Sequence, residues 1–191
     1  MKPTPLKLRI AVRELKANPG ASIIYNLISS KTVPEVIAEN GGIGIRSRVG
    51  HSYIKSTMAQ TGAVFGGEHS GHFYFNDFWR ADSGMLAALY ALAELMASNL
   101  SLSELLKPYN RYVSSGEINT KVKDVTKSIS RVRDKYHGEY QVDELDGLTI
   151  TANTWWFNLR PSNTEPLLRL NVEADTEKEM IKIRKAVLAL I

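Results

Sequence analysis

Three short runs rich in β-branched and aromatic residues alternate with helix-period segments over the first half of the chain. That alternation constrains the fold more than any other feature. "ASIIYNLI" (21–28), "IGIRSRV" (43–49) and "AVFGG" (63–67) read as strands. Between and before them lie "LKLRIAVRELKAN", with Leu8, Val12 and Leu15 at helical spacing, then "VPEVIAEN" and "SYIKSTMAQT". Pro19-Gly20 and Gly41-Gly42 stop the first two helices. Strands joined through helices run parallel, because the chain must cross back before each new strand begins. The expected first domain is therefore α/β, a parallel or mixed sheet with helices on its faces. "HFYF" (72–75) adds a further strand, and a longer helix is expected from about Asp82 to Ser98 with Asp82 as its N-cap.

The pattern changes at "LLKPYNRYVSSGEIN" (105–119), where Pro108, Asn110, Ser114, Ser115 and Gly116 mark a boundary. Domains are expected at 1–108 and 109–191. In the second, "DVTKSISRVRDKY" is an amphipathic helix capped by Asp124, and "TEKEMIKIRKAVLALI" is a closing helix capped by Thr176. "LTITANT", "WWFNLR" and "LLRLNVEA" between them read as consecutive strands. This predicts a smaller α+β domain with an antiparallel sheet and two helices.

Charge and composition remove several function classes. The net charge is +4, but residues 1–108 hold 11 Lys/Arg against 8 Asp/Glu and residues 109–191 hold 13 against 12. The bases are dispersed among acids, whereas nucleic-acid binding needs a concentrated basic face. No apolar run reaches the length of a membrane span. With no cysteine in the chain, disulfides and thiolate metal sites are excluded. Neither nucleic acid nor membrane is an expected partner, and the cytoplasm is the expected location.

Two loops carry groups that could touch a ligand. "RPSNTEP" (160–166) lies between two strand-like runs. Arg160 offers a planar fork of donors suited to phosphate oxygens, and Ser162, Asn163 and Thr164 add short hydrogen-bonding side chains. The same residues also suit an ordinary polar hairpin turn. The second loop, "GGEHSGH" (66–72), admits several readings. Glu68, His69 and His72 could hold a divalent metal, although one His-x-x-His and a carboxylate in a loop is thin support. Nucleophilic use of Ser70 lacks the Gly-x-Ser-x-Gly elbow. Recognition of sugar hydroxyls suits the mixture of carboxylate, hydroxyl and imidazole. A purely structural glycine bulge also remains open.

"VGHSYIK" (49–55), "FGGEHSGHFYF" (65–75), "DSGMLAAL" (82–89) and "RPSNTEPLLRLNVEA" (160–174), in this order and spacing, resemble the phosphoglucomutase/phosphomannomutase family of phosphohexomutases. The resemblance covers nearly the whole chain, as the family's third and fourth domains. It implies that Glu68 and Ser70 bind the hexose 3- and 4-hydroxyls, with His72 beside them and His51 and Lys55 near the sugar. It implies that Arg160, Ser162, Asn163 and Thr164 grip the substrate's non-reacting phosphate. The implied activity is interconversion of hexose 1-phosphate and hexose 6-phosphate, of mannose or glucose, through a hexose 1,6-bisphosphate.

The family's phosphoserine motif and its Asp-x-Asp-x-Asp magnesium loop have no counterpart here. "DELDG" (143–147) lacks that carboxylate spacing. By resemblance, magnesium and the catalytic serine would come from N-terminal mutase domains, in cis or as a separate chain, and this chain would hold no metal and no catalytic residue. The sequence is thus expected to be a truncated or split gene product, or an excerpt of a longer chain, inactive in isolation. A stand-alone sugar-phosphate-binding or regulatory module is the alternative.

Overall fold

The computed structural model describes residues 3–162 and 165–191. The chain divides into two compact units, 1–111 and 112–191. Unit 1 contains α1 (Pro3–Ala17), β1 (Ser22–Asn26), α2 (Thr32–Glu39), β2 (Ile43–Ser47), α3 (His51–Thr61), β3 (Phe65–Gly67), β4 (Phe73–Phe75), β5 (Ala81–Asp82), α4 (Gly84–Met96) and α5 (Leu102–Leu106). Its five-stranded sheet has the order β2-β1-β3-β4-β5. β2, β1 and β3 are parallel, and β4 and β5 extend the sheet antiparallel. The expected mixed sheet with helices on its faces is what the molecule adopts.

Period-two alternation explains the layers. Ile23 on β1, with Phe65, Phe73 and Phe75 from β3 and β4, packs against Leu8, Ala11, Val12 and Leu15 of α1 and against Val33, Val36 and Ile37 of α2. Ile24, the next residue along β1, faces the other way and joins Tyr74 with Ile54 and Met58 of α3. Tyr74 is thereby directed to the α3 side, fully buried, while its neighbours Phe73 and Phe75 secure β4 from below.

Helix α4 begins at Gly84, and its N-cap is Ser83, whose Oγ accepts the Leu86 N–H at 3.1 Å. The Asp82 cap expected from sequence is therefore corrected. Asp82 and Ser83 are both good cap residues, and the pairing of β5 with Tyr74 and Phe75 claims Asp82 for the sheet.

Unit 2 contains β6 (Val113–Lys121), α6 (Val125–Tyr136), β7 (Gln141–Asp143), β8 (Leu148–Thr151), β9 (Trp155–Pro161), β10 (Leu167–Ala174) and α7 (Glu177–Leu188). The sheet is antiparallel, in the order β6-β10-β9-β8-β7. Asp124 and Thr176 cap α6 and α7 as expected, accepting the N–H groups of Lys127 and Glu179. Phe157, Leu159, Leu168, Leu170 and Val172 form one sheet face, packed on Val132 and Tyr136 of α6 and on Ile183 and Val187 of α7. The alternate residues Trp156, Asn158, Arg160, Asn171 and Glu173 share the opposite face and are also buried. Polar side chains there must find protein partners. Trp156 Nε1 donates to Glu173, and Asn158 Nδ2 donates to the Thr149 hydroxyl and the Asp146 carbonyl.

Strand β6 takes up the later part of the stretch that reads as a boundary in sequence, from residue 113 onward. It is an edge strand, half exposed, with a register shift opposite Asn171 and Glu173. An edge strand buries too little to impose an apolar alternation, so its Ser, Gly and Asn look like loop residues.

Candidate functional site

In unit 1 the β3–β4 hairpin carries the glycine-rich loop. The Glu68 N–H donates to the His72 carbonyl, closing the turn 68–72. Glu68, immediately after β3, is only 2% exposed. A buried carboxylate needs donors around it, and Glu68 has three. The Tyr74 hydroxyl donates to Oε1 at 2.6 Å, while Asn26 Nδ2 and the Gly50 N–H donate to Oε2 at 3.4 and 3.3 Å. Gly50 has φ 132°, a conformation that side chains rarely adopt, and it sits just before α3.

Below Glu68 the network continues to a lysine on α1. Lys7 Nζ donates to Ser29 Oγ at 2.8 Å, Ser29 donates to Asn26 Oδ1 at 2.8 Å, and the His69 backbone N–H donates to the same Oδ1. Lys7 is 1% exposed. Burial lowers its pKa to about 7, an effect partly offset by the negative charge of Glu68. The lysine stem fills the space that a side chain on Gly67 would need, since a Cβ there would lie 2.2 Å from Lys7 Cδ. The glycine is thus required by close approach. Tyr74 has its pKa raised by burial and by the hydrogen bond to Glu68, so its hydroxyl stays a donor.

Two histidines stand at the edge of this network. His51 opens α3, and its Nδ1 lies 2.6 Å from the Tyr74 hydroxyl. Lys55 is exposed one turn later, on the same helix face. His72 Nδ1 is 2.6 Å from Asp82 Oδ2, and the other Asp82 oxygen accepts the Phe73 N–H at 2.9 Å. The two imidazole centroids are 4.3 Å apart. Ser70 is exposed at the tip of the turn. The structure brings Glu68, His51 and His72 close together, through Tyr74 and the turn 68–72. Among the described residues, the close histidine and acidic group is His51, His72 and Asp82, rather than the Glu68, His69 and His72 considered from spacing.

Unit 2 presents the other loop at the β9–β10 connection. The Ser162 N–H donates to the Leu167 carbonyl and narrows the loop. Arg160, 7% exposed, pairs with Glu117 of β6 at 3.0 Å. Arg169 lies directly opposite Arg160 across β9 and β10. It reaches the second Glu117 oxygen at 3.4 Å and donates to Ser162 Oγ at 3.2 Å. Two guanidiniums thus converge on one carboxylate. Among the described residues, neither Arg160 Nε nor Arg169 Nε has a hydrogen-bond partner. Asn163 and Thr164 lie outside the described residues.

Sequence reasoning missed Asp82, Tyr74, Asn26, Lys7, Glu117 and Arg169. Asp82 was hidden by its resemblance to a helix cap. Lys7 stands one residue before the apolar Leu8 in a helix, where a lysine ordinarily faces water. Arg169 did carry a signal, because it interrupts the apolar alternation of "LLRLNVEA" on the same face as Asn171 and Glu173.

Among the described residues, no helix is long and apolar enough to cross a membrane. Comparison with known proteins gives consistent matches. Residues 8–112 match the family model described as phosphoglucomutase/phosphomannomutase, alpha/beta/alpha domain III. Residues 117–190 match the phosphoglucomutase/phosphomannomutase C-terminal domain. A phosphomannomutase of Methanocaldococcus jannaschii is 48% identical over 171 residues, covering 90% of this chain and 38% of the relative. A phosphomannomutase of Escherichia coli is 38% identical over 180 residues, covering 93% of this chain and 40% of the relative. A crystal structure of a phosphoglucomutase/phosphomannomutase family protein from Burkholderia thailandensis superposes with a TM-score of 0.85 at 29% identity, covering all of this chain and 41% of that one. The chain therefore spans about two fifths of the length of the curated relatives it matches.

Proposed function

The chain belongs to the phosphoglucomutase/phosphomannomutase family as its domain III and C-terminal domain, and from that premise we propose that it supplies the sugar- and phosphate-holding groups of a phosphohexomutase. The substrate is a hexose phosphate, of mannose or glucose, interconverted between its 1- and 6-phosphates through a bisphosphate. Further mutase domains, in cis or on a separate chain, provide the phosphate-carrying serine and the magnesium site, and the setting is cytoplasmic. This chain alone does not turn over.

The observation that carries the reading is the charge arrangement at the β9–β10 loop. Arg160 and Arg169 share a single carboxylate, Glu117, so these three side chains together carry one excess positive charge. A phosphate dianion suits that excess, and a guanidinium fork can meet two of its oxygens at once. Asn163 and Thr164 of the same loop complete the donors. In unit 1, Glu68 already accepts from three protein groups, which leaves about one of its four lone-pair directions for a sugar hydroxyl. Its role is a fixed, pre-oriented acceptor. Ser70, His72, His51 and Lys55 surround it as the adaptable contacts.

In the assembled mutase, the hexose binding and orientation are the work of these residues, while magnesium assists phosphoryl transfer from its own domain. The donors gathered here do not suit that ion. His51 and His72 offer imidazole nitrogen, whereas magnesium demands an oxygen octahedron.

Calorimetry of the purified chain with mannose 6-phosphate, glucose 6-phosphate and inorganic phosphate tests the proposal. Arg160→Ala is expected to weaken all three by at least tenfold, and Arg160→Lys to retain part of the affinity because charge survives without the fork. Affinity unchanged in Arg160→Ala would remove the phosphate assignment.

A further inference from the structure

We propose that Lys7 is a positioning residue for sugar binding, acting through Ser29 and Asn26 to hold and charge-balance Glu68. The inference rests on the assignment of Glu68 as the acceptor of a hexose hydroxyl.

Four side chains, none more than 6% exposed, form one relay. Lys7 Nζ donates to Ser29 Oγ, Ser29 Oγ donates to Asn26 Oδ1, and Asn26 Nδ2 donates to Glu68 Oε2. A charged lysine this deep is ordinarily paired directly. Here two neutral side chains stand between the ammonium and the carboxylate, and Ser29 is the one hydrogen-bond partner of Nζ among the described residues. The contact beneath Gly67 is made by the apolar stem, so packing there does not call for a charge.

The relay has a direction that depends on the lysine proton. An ammonium has three donors and no acceptor, so Ser29 must accept from it and send its own proton to Asn26 Oδ1. That oxygen also takes the His69 N–H, which turns the amide so that Nδ2 faces Glu68. One amide thus ties the carboxylate to the backbone of the turn 68–72. Without its proton Lys7 presents a lone pair, Ser29 is free to donate back to it, and Asn26 loses one of the two donors that fix it. The positive charge that offsets Glu68 goes as well. A hexose covering Glu68 strips its remaining water, and a cation close behind lowers that cost.

Glu68 is the charged group that acts on Lys7. Tyr74 lies beyond it on its other oxygen, with His51 behind Tyr74. From β1 and the residues after it come the neutral Asn26 and Ser29, and from β3 comes Gly67. Burial brings the titration of Lys7 down to about 7. Sugar affinity is therefore highest at low pH and falls as pH rises through 7. Fold stability moves the other way, because the buried site favours the neutral amine. The opposite slopes separate positioning from a purely structural role.

Calorimetry with mannose 6-phosphate and glucose 6-phosphate from pH 6 to 8.5 compares the wild-type chain with Lys7→Arg and Lys7→Met, since arginine stays charged and methionine never is. Ligand and histidine ionisation are common to all three proteins. Wild type should match Lys7→Arg at pH 6 and approach Lys7→Met at pH 8.5. The relative loss should be about fivefold or more, the low end of coupling between linked sites. Inorganic phosphate, held by the β9–β10 loop, should bind all three alike. Circular dichroism matched to wild type admits each variant, and either one suffices as the reference. The His69 and Gly50 amide resonances report the loop without sugar, and should titrate in wild type beyond any shift in the variants. Wild type that tracks a variant at every pH, in affinity or in those amides, overturns the proposal. Amides that respond to Lys7 in a chain that binds no hexose phosphate uphold the relay and remove the sugar assignment of Glu68 instead.

Discussion

Replacing Lys7 by Met should change how stability depends on pH. Lys7 is buried on α1, and its ammonium has a pKa lowered to about 7 by burial, against 10.5 for a free lysine. Between those values the unfolded chain binds one more proton than the folded one, so folding strengthens as pH rises. The penalty for burying the charge is complete below pH 7 and is relieved progressively above it. With a folded pKa near 7, the linkage relation gives a gain on the order of 2–3 kcal/mol between pH 6 and pH 9. Met keeps the length and apolar stem beneath Gly67 and cannot titrate. Urea unfolding of wild type and Lys7→Met by circular dichroism, in parallel from pH 6 to 9, isolates the term because every other group is common to both. The wild type should gain on the variant steadily above pH 7. Parallel profiles would show that Lys7 is not buried as a titrating amine, and the network from Lys7 through Ser29 and Asn26 to Glu68 would need to be redrawn.

Glu68→Gln should destabilise unit 1 by about 1–3 kcal/mol, the cost of an unsatisfied buried donor. A glutamine can accept from Tyr74 or from Asn26 and Gly50, but its amide nitrogen then meets one of those donors head-on; an unchanged thermal midpoint would contradict this. Gly50→Ala should cost about 1–3 kcal/mol because φ 132° is strained for any side chain, read from the urea midpoint. Glu117→Gln should weaken phosphate binding less than Arg160→Ala does, or even strengthen it. It removes the competing carboxylate while keeping an acceptor for the two arginines, and calorimetry with inorganic phosphate gives the order. Ser83→Ala should lower helix stability by about 1 kcal/mol, whereas Asp82→Ala should spare the α4 cap and instead abolish the His72 contact, visible as a change in the His72 ring resonances and in the Phe73 amide resonance with the thermal midpoint little changed.

The layer architecture of both units is written in the local pattern, because alternation of Ile, Val and aromatic runs with helix-period segments leaves few ways to bury the apolar faces. The caps at Asp124 and Thr176 are likewise readable from the chain, being local hydrogen bonds between sequence neighbours. The two candidate loops stood out for a different reason. Their short polar and glycine residues interrupt the apolar pattern, and four motifs in order carried the family resemblance. Strand β6 was not legible, since an edge strand with one exposed flank has no apolar signature to read. Nor were the partners of each site residue. Lys7 and Glu68 are sixty-one positions apart, and Arg160, Arg169 and Glu117 come from three strands whose register only pairing defines. Asp82 shows the limit most clearly. Locally it is as good a helix cap as Ser83, and only the pairing of β5 with β4, which sets its carboxylate against His72 and the Phe73 N–H, decided between the two.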